Sequence, residues 1–128
     1  MKLRLYSERM KKEFICESKI EVKEIIYMCK KSIRDELWIS LNGDYPCISL
    51  LLSDDLVCIN YFENNENEFY FTSYNDNNNC DKIVSFIAGG EEWLAPNNAI
   101  IPLKTAVECV EQFMDTSKRP TCIKWQIL

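Results

Sequence analysis

The sequence predicts an α+β fold in which two helices pack on one face of an antiparallel sheet of five or six strands. Apolar residues recur every three or four positions in two segments, 19–34 and 102–116, which is the period of an amphipathic helix. Short apolar or alternating segments, typical of strands, lie between and around them. The connections between strands within 47–88 are too short for a helical crossover, which leaves antiparallel pairing.

The N-terminal part of the chain predicts a hairpin followed by the first helix. Apolar and polar residues alternate over 1–7, and the segment 11–18 is placed to pair with them. Ser18 and Glu21 have the spacing of a capping box, in which each side chain accepts a hydrogen bond from the other residue's backbone N–H. The first helix is therefore expected over 19–34.

A series of short strands joined by polar turns is expected in the middle of the chain. These strands are predicted over 37–41, 47–52, 56–62, 68–74 and 82–88. The stretch 88–102 is interpreted as a long connection without a strand. Pro102 stands where a helix can begin, because a first-turn residue needs no backbone N–H, and a terminal strand is predicted over 122–128.

The length of 128 residues predicts one domain, residues 1–128, with a core of its own. A chain of this size buries roughly two-thirds of its unfolded surface, so it can fold without disulfide bonds. No apolar run approaches the roughly 18 residues of a membrane span. The first residues lack the apolar segment of a signal peptide, so the cytoplasm is the expected compartment.

Cysteine is frequent in this chain and histidine is absent. There are seven cysteines, an odd number, and no two of them have the C-x-x-C spacing of a zinc or redox motif. We therefore expect reduced thiols that fill apolar positions, with no bound metal, no cofactor and no obligatory disulfide. The usual general base is missing and no cysteine has a visible activating neighbour, so an enzyme is not expected.

Charge is unevenly distributed along the chain. Residues 1–34 carry ten Lys or Arg and five Glu, a net charge of +5, whereas residues 35–103 carry twelve Asp or Glu and one Lys, a net charge of −11. An acidic block opposes direct binding of nucleic acid, whose phosphates need the opposite sign. It suits a basic protein partner, although a solvated acidic surface that favours solubility explains it equally well.

The most specific pattern lies between the second helix and the terminal strand. Pro120 directs Arg119 away from the helical conformation, so the helix must end before it. A helix that starts with proline, carries Ala and Phe on its core face and is followed by T-x-x-R-P and a strand with Trp resembles the first Imm family of bacterial immunity proteins. The residues that carry this resemblance are Ile101, Pro102, Ala106, Phe113, Thr116, Arg119, Pro120 and Trp125. Earlier elements of the family, within a total resemblance over about 36–126, are matched by Trp38, Tyr45, Pro46, Asp54, Asp55, Tyr61, Phe86, Gly89 and Gly90.

The resemblance implies a small cytosolic protein, encoded beside a polymorphic toxin, that binds one cognate toxin domain and blocks it. Many toxins paired with this family look like nucleic-acid deaminases or nucleases, whose substrate clefts are basic. The implied partner is therefore a toxin protein bound through an acidic surface, with no direct contact to nucleic acid or membrane. The free chain is expected to be a monomer or a weak homodimer. The family usually has glycine directly after the helix, where this chain has Ser117.

The candidate binding residues are acidic or aromatic and lie in predicted turns and loops. Those expected to bind the toxin are Asp54, Asp55, Glu63, Glu66, Glu91, Glu92 and Trp93. Aspartate is also common in ordinary turns, and Trp93 suits the core as well as an interface. The motif residues interpreted as structural are Trp38, Pro102, Phe113, Arg119, Pro120 and Trp125.

Two other functions stay open from the sequence. One is a generic intracellular adaptor for another basic protein, which the acidic block also fits. The other is a metal-free hydrolase or thiol-dependent enzyme, which the missing general base disfavours. The first 35 residues, which include the basic helix, carry no family signature and receive no role.

Overall fold

The structure is a computed structural model that describes residues 2–30, 34–41, 43–64, 70–76 and 83–127. Within these ranges the chain forms ten strands and two α-helices. They are β1 (Leu3–Ser7), β2 (Lys12–Cys16), α1 (Lys19–Lys30), β3 (Arg34–Ser40), β4 (Cys47–Ser53), β5 (Leu56–Phe62), β6 (Phe71–Tyr74), β7 (Val84–Ala88), β8 (Glu91–Ala95), β9 (Ile101–Pro102), α2 (Leu103–Thr116) and β10 (Lys124–Ile127). A short 3₁₀-helix precedes β9 over Asn97–Ala99. None of the helices in these ranges is long and apolar enough to cross a membrane.

Eight strands form one antiparallel sheet in the order β10-β6-β5-β4-β3-β1-β2, with β9 paired to the start of β5. Its centre consists of β3, β4 and β5, which are seven residues long and pair over their whole length. The predicted antiparallel α+β fold is confirmed. The sheet is larger than the five or six strands expected, because β1 and β2 both extend the β3 side and the two-residue β9 adds to β5.

Both helices cover one face of this sheet. The sheet contributes the alternate apolar side chains that point to this face: Leu3, Leu5, Leu37, Ile39, Ile48, Leu50, Leu52, Val57, Ile59 and Tyr61. Helix α1 buries Val22, Ile26 and Cys29, and α2 buries the stripe Leu103, Ala106, Val107, Cys109, Val110, Phe113 and Met114. The helical period of the sequence therefore marks the side of each helix that contacts the sheet.

The opposite face of the sheet is partly covered by a hairpin that was not predicted from the sequence. Strands β7 and β8 pair across a Gly-Gly turn, whose φ angles of +61° and +82° suit a two-residue turn with positive φ at both central positions. The hairpin packs Phe86 on Leu51 and Cys58 of the sheet. The prediction of a strand-free connection over 88–102 is therefore wrong. Strand β8 begins with two glutamates, and charged residues of this kind are more typical of a loop than of a strand.

Helix α1 begins where the capping-box spacing predicts, but only one of the two predicted hydrogen bonds forms, because Glu21 accepts from the Glu17 N–H instead of the Ser18 N–H. The backbone N–H of Glu21 donates to Ser18 Oγ at 3.2 Å, and Glu21 Oε1 accepts from the Glu17 backbone N–H at 3.2 Å. The predicted end of the helix at residue 34 is wrong. Arg34 is instead the first residue of β3, where pairing with β4 fixes it in an extended conformation, and residues 31–33 lie outside the described ranges.

Helix α2 is held at both ends by backbone hydrogen bonds. At its start the Leu103 N–H donates to the Asp55 carbonyl in the β4–β5 turn at 2.9 Å. At its end Ser117 adopts the left-handed conformation, with φ 58° and ψ 22°, and its N–H donates to the Phe113 carbonyl at 2.8 Å. A side chain is strained in this conformation, because its Cβ approaches the following carbonyl oxygen. Ser117 therefore ends the helix at a cost that glycine avoids.

We expect Ser117→Gly to raise the free energy of unfolding by up to about 1 kcal/mol, because glycine adopts positive φ without strain. Urea unfolding of the two proteins measures the difference. Ser53→Gly at the end of β4 is the control: its φ is not left-handed, and loss of a side chain from a strand should destabilise the fold. A Ser117→Gly protein no more stable than the wild type would contradict this account of the helix end.

Candidate functional site

Two exposed loops that are distant in sequence both lie beside Arg34 at one end of the sheet. Asp54 and Asp55 form the exposed turn between β4 and β5, with Asp54 at φ 57°. Glu91 and Glu92 are exposed at the start of β8. Arg34 joins the two loops, because it pairs with the last residue of β4 and its Nη1 lies 3.5 Å from Glu92 Oε2. We call the four carboxylates Asp54, Asp55, Glu91 and Glu92 the acidic end.

Two carboxylates of the acidic end have a cation within the chain. Lys30, in the last turn of α1, forms an ion pair with Asp55, and Arg34 forms one with Glu92. The other two carboxylates form no ion pair with another described residue. Exposed pairs of this kind contribute little to stability, so a cation from a partner can replace them. The basic N-terminal segment thus supplies counter-ions to the acidic block.

Two buried carboxylates at the start of β3 hold the neighbouring turns in place. Asp35 is 2% exposed and accepts from Ser7 Oγ at 2.6 Å, and from the backbone N–H groups of Arg9 at 3.0 Å and Glu36 at 2.7 Å. Glu36 is 6% exposed and accepts from the Gly89 N–H of the β7–β8 turn at 3.2 Å. Burial raises the pKa of Glu36, and the hydrogen bond from Gly89 opposes that rise. Neither residue was predicted as important, since alternation alone does not reveal which polar residues of a strand become buried.

The remaining candidate residues lie apart from the acidic end. Glu63 follows β5 at the end opposite to Asp55, and the extended strand between them separates the two residues by roughly 25 Å. Trp93 is half-buried, with its ring centroid 6.3 Å from that of Phe86, and packs against the core of the β7–β8 hairpin. Glu66 lies outside the described residues.

The motif residues between α2 and β10 line a groove of about 630 Å³, which we call the motif groove. The Arg119 guanidinium lies 3.9 Å from the ring centroid of Phe71, and Trp125 Nε1 donates to the Pro120 carbonyl at 2.7 Å. The ring of Tyr61 lies 6.3 Å from that of Trp125. Burial raises the pKa of the Tyr61 hydroxyl, which lines the groove together with the charged residues Glu63, Lys118 and Arg119.

A family comparison identifies the group of proteins to which these elements belong. The model of the Imm1 immunity protein family matches residues 14–127, which is most of the chain. The chain belongs to the Imm1 family. The resemblance inferred from the motif residues is thereby confirmed, and a role as an immunity protein follows from the membership. The match begins at residue 14, so the prediction that the resemblance starts near residue 36 is wrong. A search of curated proteins found no match.

The motif residues of this Imm1 chain differ in burial and in the parts of the fold that they contact. Phe113 is fully buried, and Pro120 is buried beside the groove. Pro102 is exposed and directly precedes α2. Trp38 lies on the sheet face away from the helices, half-buried, with its ring centroid 5.6 Å from that of Phe62. The rings of Phe113 and Trp125 contact Tyr61, and Arg119 contacts Phe71, so these motif residues join α2 and the segment leading to β10 to the sheet.

The thiols and carboxylates of the described residues do not assemble a metal centre, since no three of them stand together in a suitable cluster. None of the described cysteines forms a disulfide, and Cys122 alone among them is exposed. Cys80 lies outside the described residues. Burial raises the pKa of Cys29 and Cys47 to about 11 and that of Cys58 to about 12. These three thiols are therefore protonated, and unreactive, at neutral pH.

Glu36→Gln tests the buried carboxylate behind the acidic end. The raised pKa means that the folded state favours the protonated form, so the contribution of Glu36 to stability is complete below its unfolded pKa of about 4.3 and is lost as pH rises through the folded pKa. Glutamine keeps an acceptor for the Gly89 N–H and carries no charge, so the variant should be more stable than the wild type at pH 7.

Urea unfolding between pH 4 and pH 8 measures this effect, and the gain from Glu36→Gln should shrink towards pH 4. Glu24→Gln, on the exposed face of α1, is the control and should show no such gain. A difference that is the same at every pH would rule out burial of the charge as its cause.

Trp125→Phe should lower the free energy of unfolding by about 1–2 kcal/mol, because it leaves the Pro120 carbonyl without its donor. The ring itself is retained, which limits the loss of packing. Trp93→Phe is the control, since its indole N–H has no partner among the described residues, and it should cost less. Urea unfolding compares the two, and an equal loss in both would mean that the hydrogen bond is not the cause.

Proposed function

We propose that this Imm1 protein neutralises a cognate toxin domain by binding it through the acidic end and covering the toxin's active site. The observation that carries the proposal is the position of Arg34 between two exposed acidic loops: it pairs with Ser53, directly before Asp54, and forms an ion pair with Glu92. Side chains on exposed turns reach a partner without disturbing the core behind them. Membership of the immunity protein family supports a toxin as that partner.

A toxin that acts on nucleic acid is the class of partner that the charge favours. The substrate cleft of such a toxin is basic, because it binds phosphates. The acidic end belongs to the block 35–103, whose net charge is −11. Opposite potentials raise the rate of association, and carboxylates that enter the cleft take the positions of phosphate oxygens. Occlusion of this kind requires no catalytic chemistry from the immunity protein.

The turns of the acidic end are held by the fold before a partner binds. The Asp55 carbonyl accepts from the Leu103 N–H at 2.9 Å, which attaches the β4–β5 turn to the start of α2. The Gly89 N–H donates to buried Glu36 at 3.2 Å, which attaches the β7–β8 turn to β3. Because the backbone is already ordered, binding requires little further loss of conformational entropy.

The two intramolecular ion pairs suggest how the surface engages a cationic cleft. Lys30 and Arg34 hold the side chains of Asp55 and Glu92 in defined positions. Arg34 also donates from Nη1 to Ser85 Oγ at 2.8 Å, so it retains a partner when Glu92 turns towards the toxin. The two carboxylates without an ion pair make the first contacts, and the paired ones then extend the network.

Co-expression with the protein encoded immediately upstream tests the proposal. We expect this chain to restore growth of cells that express the upstream protein, and the two proteins to purify together. The upstream protein should lose its activity on nucleic acid in the purified complex. Co-purification with a protein that is harmless on its own would favour an adaptor for a basic partner and would overturn the toxin role.

The double variant Asp54→Asn with Glu91→Lys should weaken the complex and leave the fold intact. Asparagine is chosen at position 54 because it tolerates the φ of 57° found there. We expect association to slow about tenfold at low salt, and by less at physiological ionic strength, since exposed charges act mainly on the association rate. Stopped-flow kinetics measure the rate, and urea unfolding should change by less than about 0.5 kcal/mol.

The controls place charge changes elsewhere on the surface. Glu24→Lys and Lys23→Glu lie on the exposed face of α1, and Glu63→Lys lies at the opposite end of the sheet. All three should leave association and growth protection as in the wild type. Loss of protection in Lys23→Glu alone would assign binding to α1, and loss in Glu63→Lys alone would assign it to the motif groove.

A further inference from the structure

Two cysteines from different parts of the fold are in contact beside the motif groove. Cys109 is fully buried on α2, and Cys122 is exposed in the irregular segment 117–123 that precedes β10. Their sulfur atoms lie 2.8 Å apart. The other described cysteines are all buried: Cys16, Cys29, Cys47 and Cys58. An exposed thiol that touches a buried one is the arrangement from which a disulfide can form.

We propose that Cys109 and Cys122 form a reversible disulfide by exchange with a small disulfide such as oxidised glutathione. A disulfide bond is about 2.05 Å long, so the two sulfurs need to approach by less than about 1 Å. Cys109 is fixed in a helix, whereas the segment around Cys122 has no regular structure and can supply this movement. The pair is separate from the acidic end, so the inference does not depend on the proposed toxin contact.

Side-chain hydrogen bonds hold this segment against α2 before any bond forms. Gln112 Nε2 donates to Thr121 Oγ1 at 2.7 Å, and Gln112 Oε1 accepts from the Thr121 N–H at 3.1 Å. The Lys118 N–H donates to Thr116 Oγ1 at 3.1 Å. The two thiols therefore have a high effective concentration for each other, which favours closure within the chain over a lasting mixed disulfide.

Cys122 is exposed and Cys109 is buried, so Cys122 reacts with glutathione first. The Cys122 thiol loses its proton to solvent and attacks one sulfur of oxidised glutathione, which releases the first glutathione thiolate. The Cys109 thiol then loses its proton and attacks the Cys122 sulfur, which releases the second. Two protein thiols are thus oxidised to one disulfide, and one glutathione disulfide is reduced to two thiols. Burial raises the pKa of Cys109, which makes that thiol unsuited to the first attack.

The disulfide ties α2 to the segment that carries Arg119 and Pro120. A disulfide stabilises a protein mainly by restricting its unfolded chain, so the oxidised form should resist unfolding. In a reducing compartment both thiols persist, and a shift to oxidising conditions closes them. The modification strengthens the wall of the groove and leaves the charges of the acidic end unchanged.

Peptide mapping after oxidation tests the site. The protein is incubated with oxidised glutathione, the remaining thiols are blocked with N-ethylmaleimide, and trypsin is added. Cleavage after Lys104, Lys118 and Lys124 places Cys109 and Cys122 in separate peptides, 105–118 and 119–124. We expect a mass that corresponds to the two peptides joined, their separation by dithiothreitol, and a shift of the unfolding midpoint to higher urea in the oxidised protein.

The controls separate this pair from the other thiols. Cys122→Ser should abolish both the joined peptides and the shift in the urea midpoint, whereas Cys80→Ser should retain both. Glutathione that remains on Cys122 as the final product would overturn the proposal, because closure would have failed. A link from Cys122 to any other cysteine, or no oxidation in excess oxidised glutathione, would overturn it as well.

Discussion

The fold depends on the full-length pairing of β3, β4 and β5. All seven residues of β4 are paired on both sides, and six of them, Cys47–Leu52, are buried. A strand buried on both faces needs a cover on each, and the chain supplies two different ones: the helices on one face and the β7–β8 hairpin on the other. Both covers pack on the central strands of the sheet, so these strands lie between two apolar clusters.

The geometry of the acidic end follows from the register of these strands. Arg34 stands beside the β4–β5 turn because it pairs with Ser53, and that register is fixed by apolar pairs further along, such as Leu37 with Leu50. A shift of one residue would send every side chain of β3 to the other face. The position of the charged side chains is therefore determined by apolar packing several residues away.

Local sequence patterns predicted most of the elements, and what they could not predict depends on contacts between distant residues. Helical periodicity located both helices, and the motif after α2 indicated the family. Strand β8 was missed because it opens with two glutamates, although the Gly-Gly pair before it is a hairpin signal. The net charge of residues 35–103 does not show which carboxylates are paired with a cation. Glu92 is paired with Arg34, which lies 58 residues earlier in the chain. The burial of Asp35 likewise depends on Ser7 and on turns that only folding brings near it.

The β1–β2 hairpin changes which strand stands at the border of the sheet. Without it, β3 would be an edge strand, with seven residues of unpaired backbone beside an apolar core, which is a template for intermolecular pairing. The hairpin moves the border to β2, which has five residues, is largely exposed and carries Lys12 and Glu13. Short, charged edges resist β-aggregation. The β1–β2 hairpin of the basic N-terminal segment thus covers an edge of the sheet that would otherwise favour intermolecular pairing.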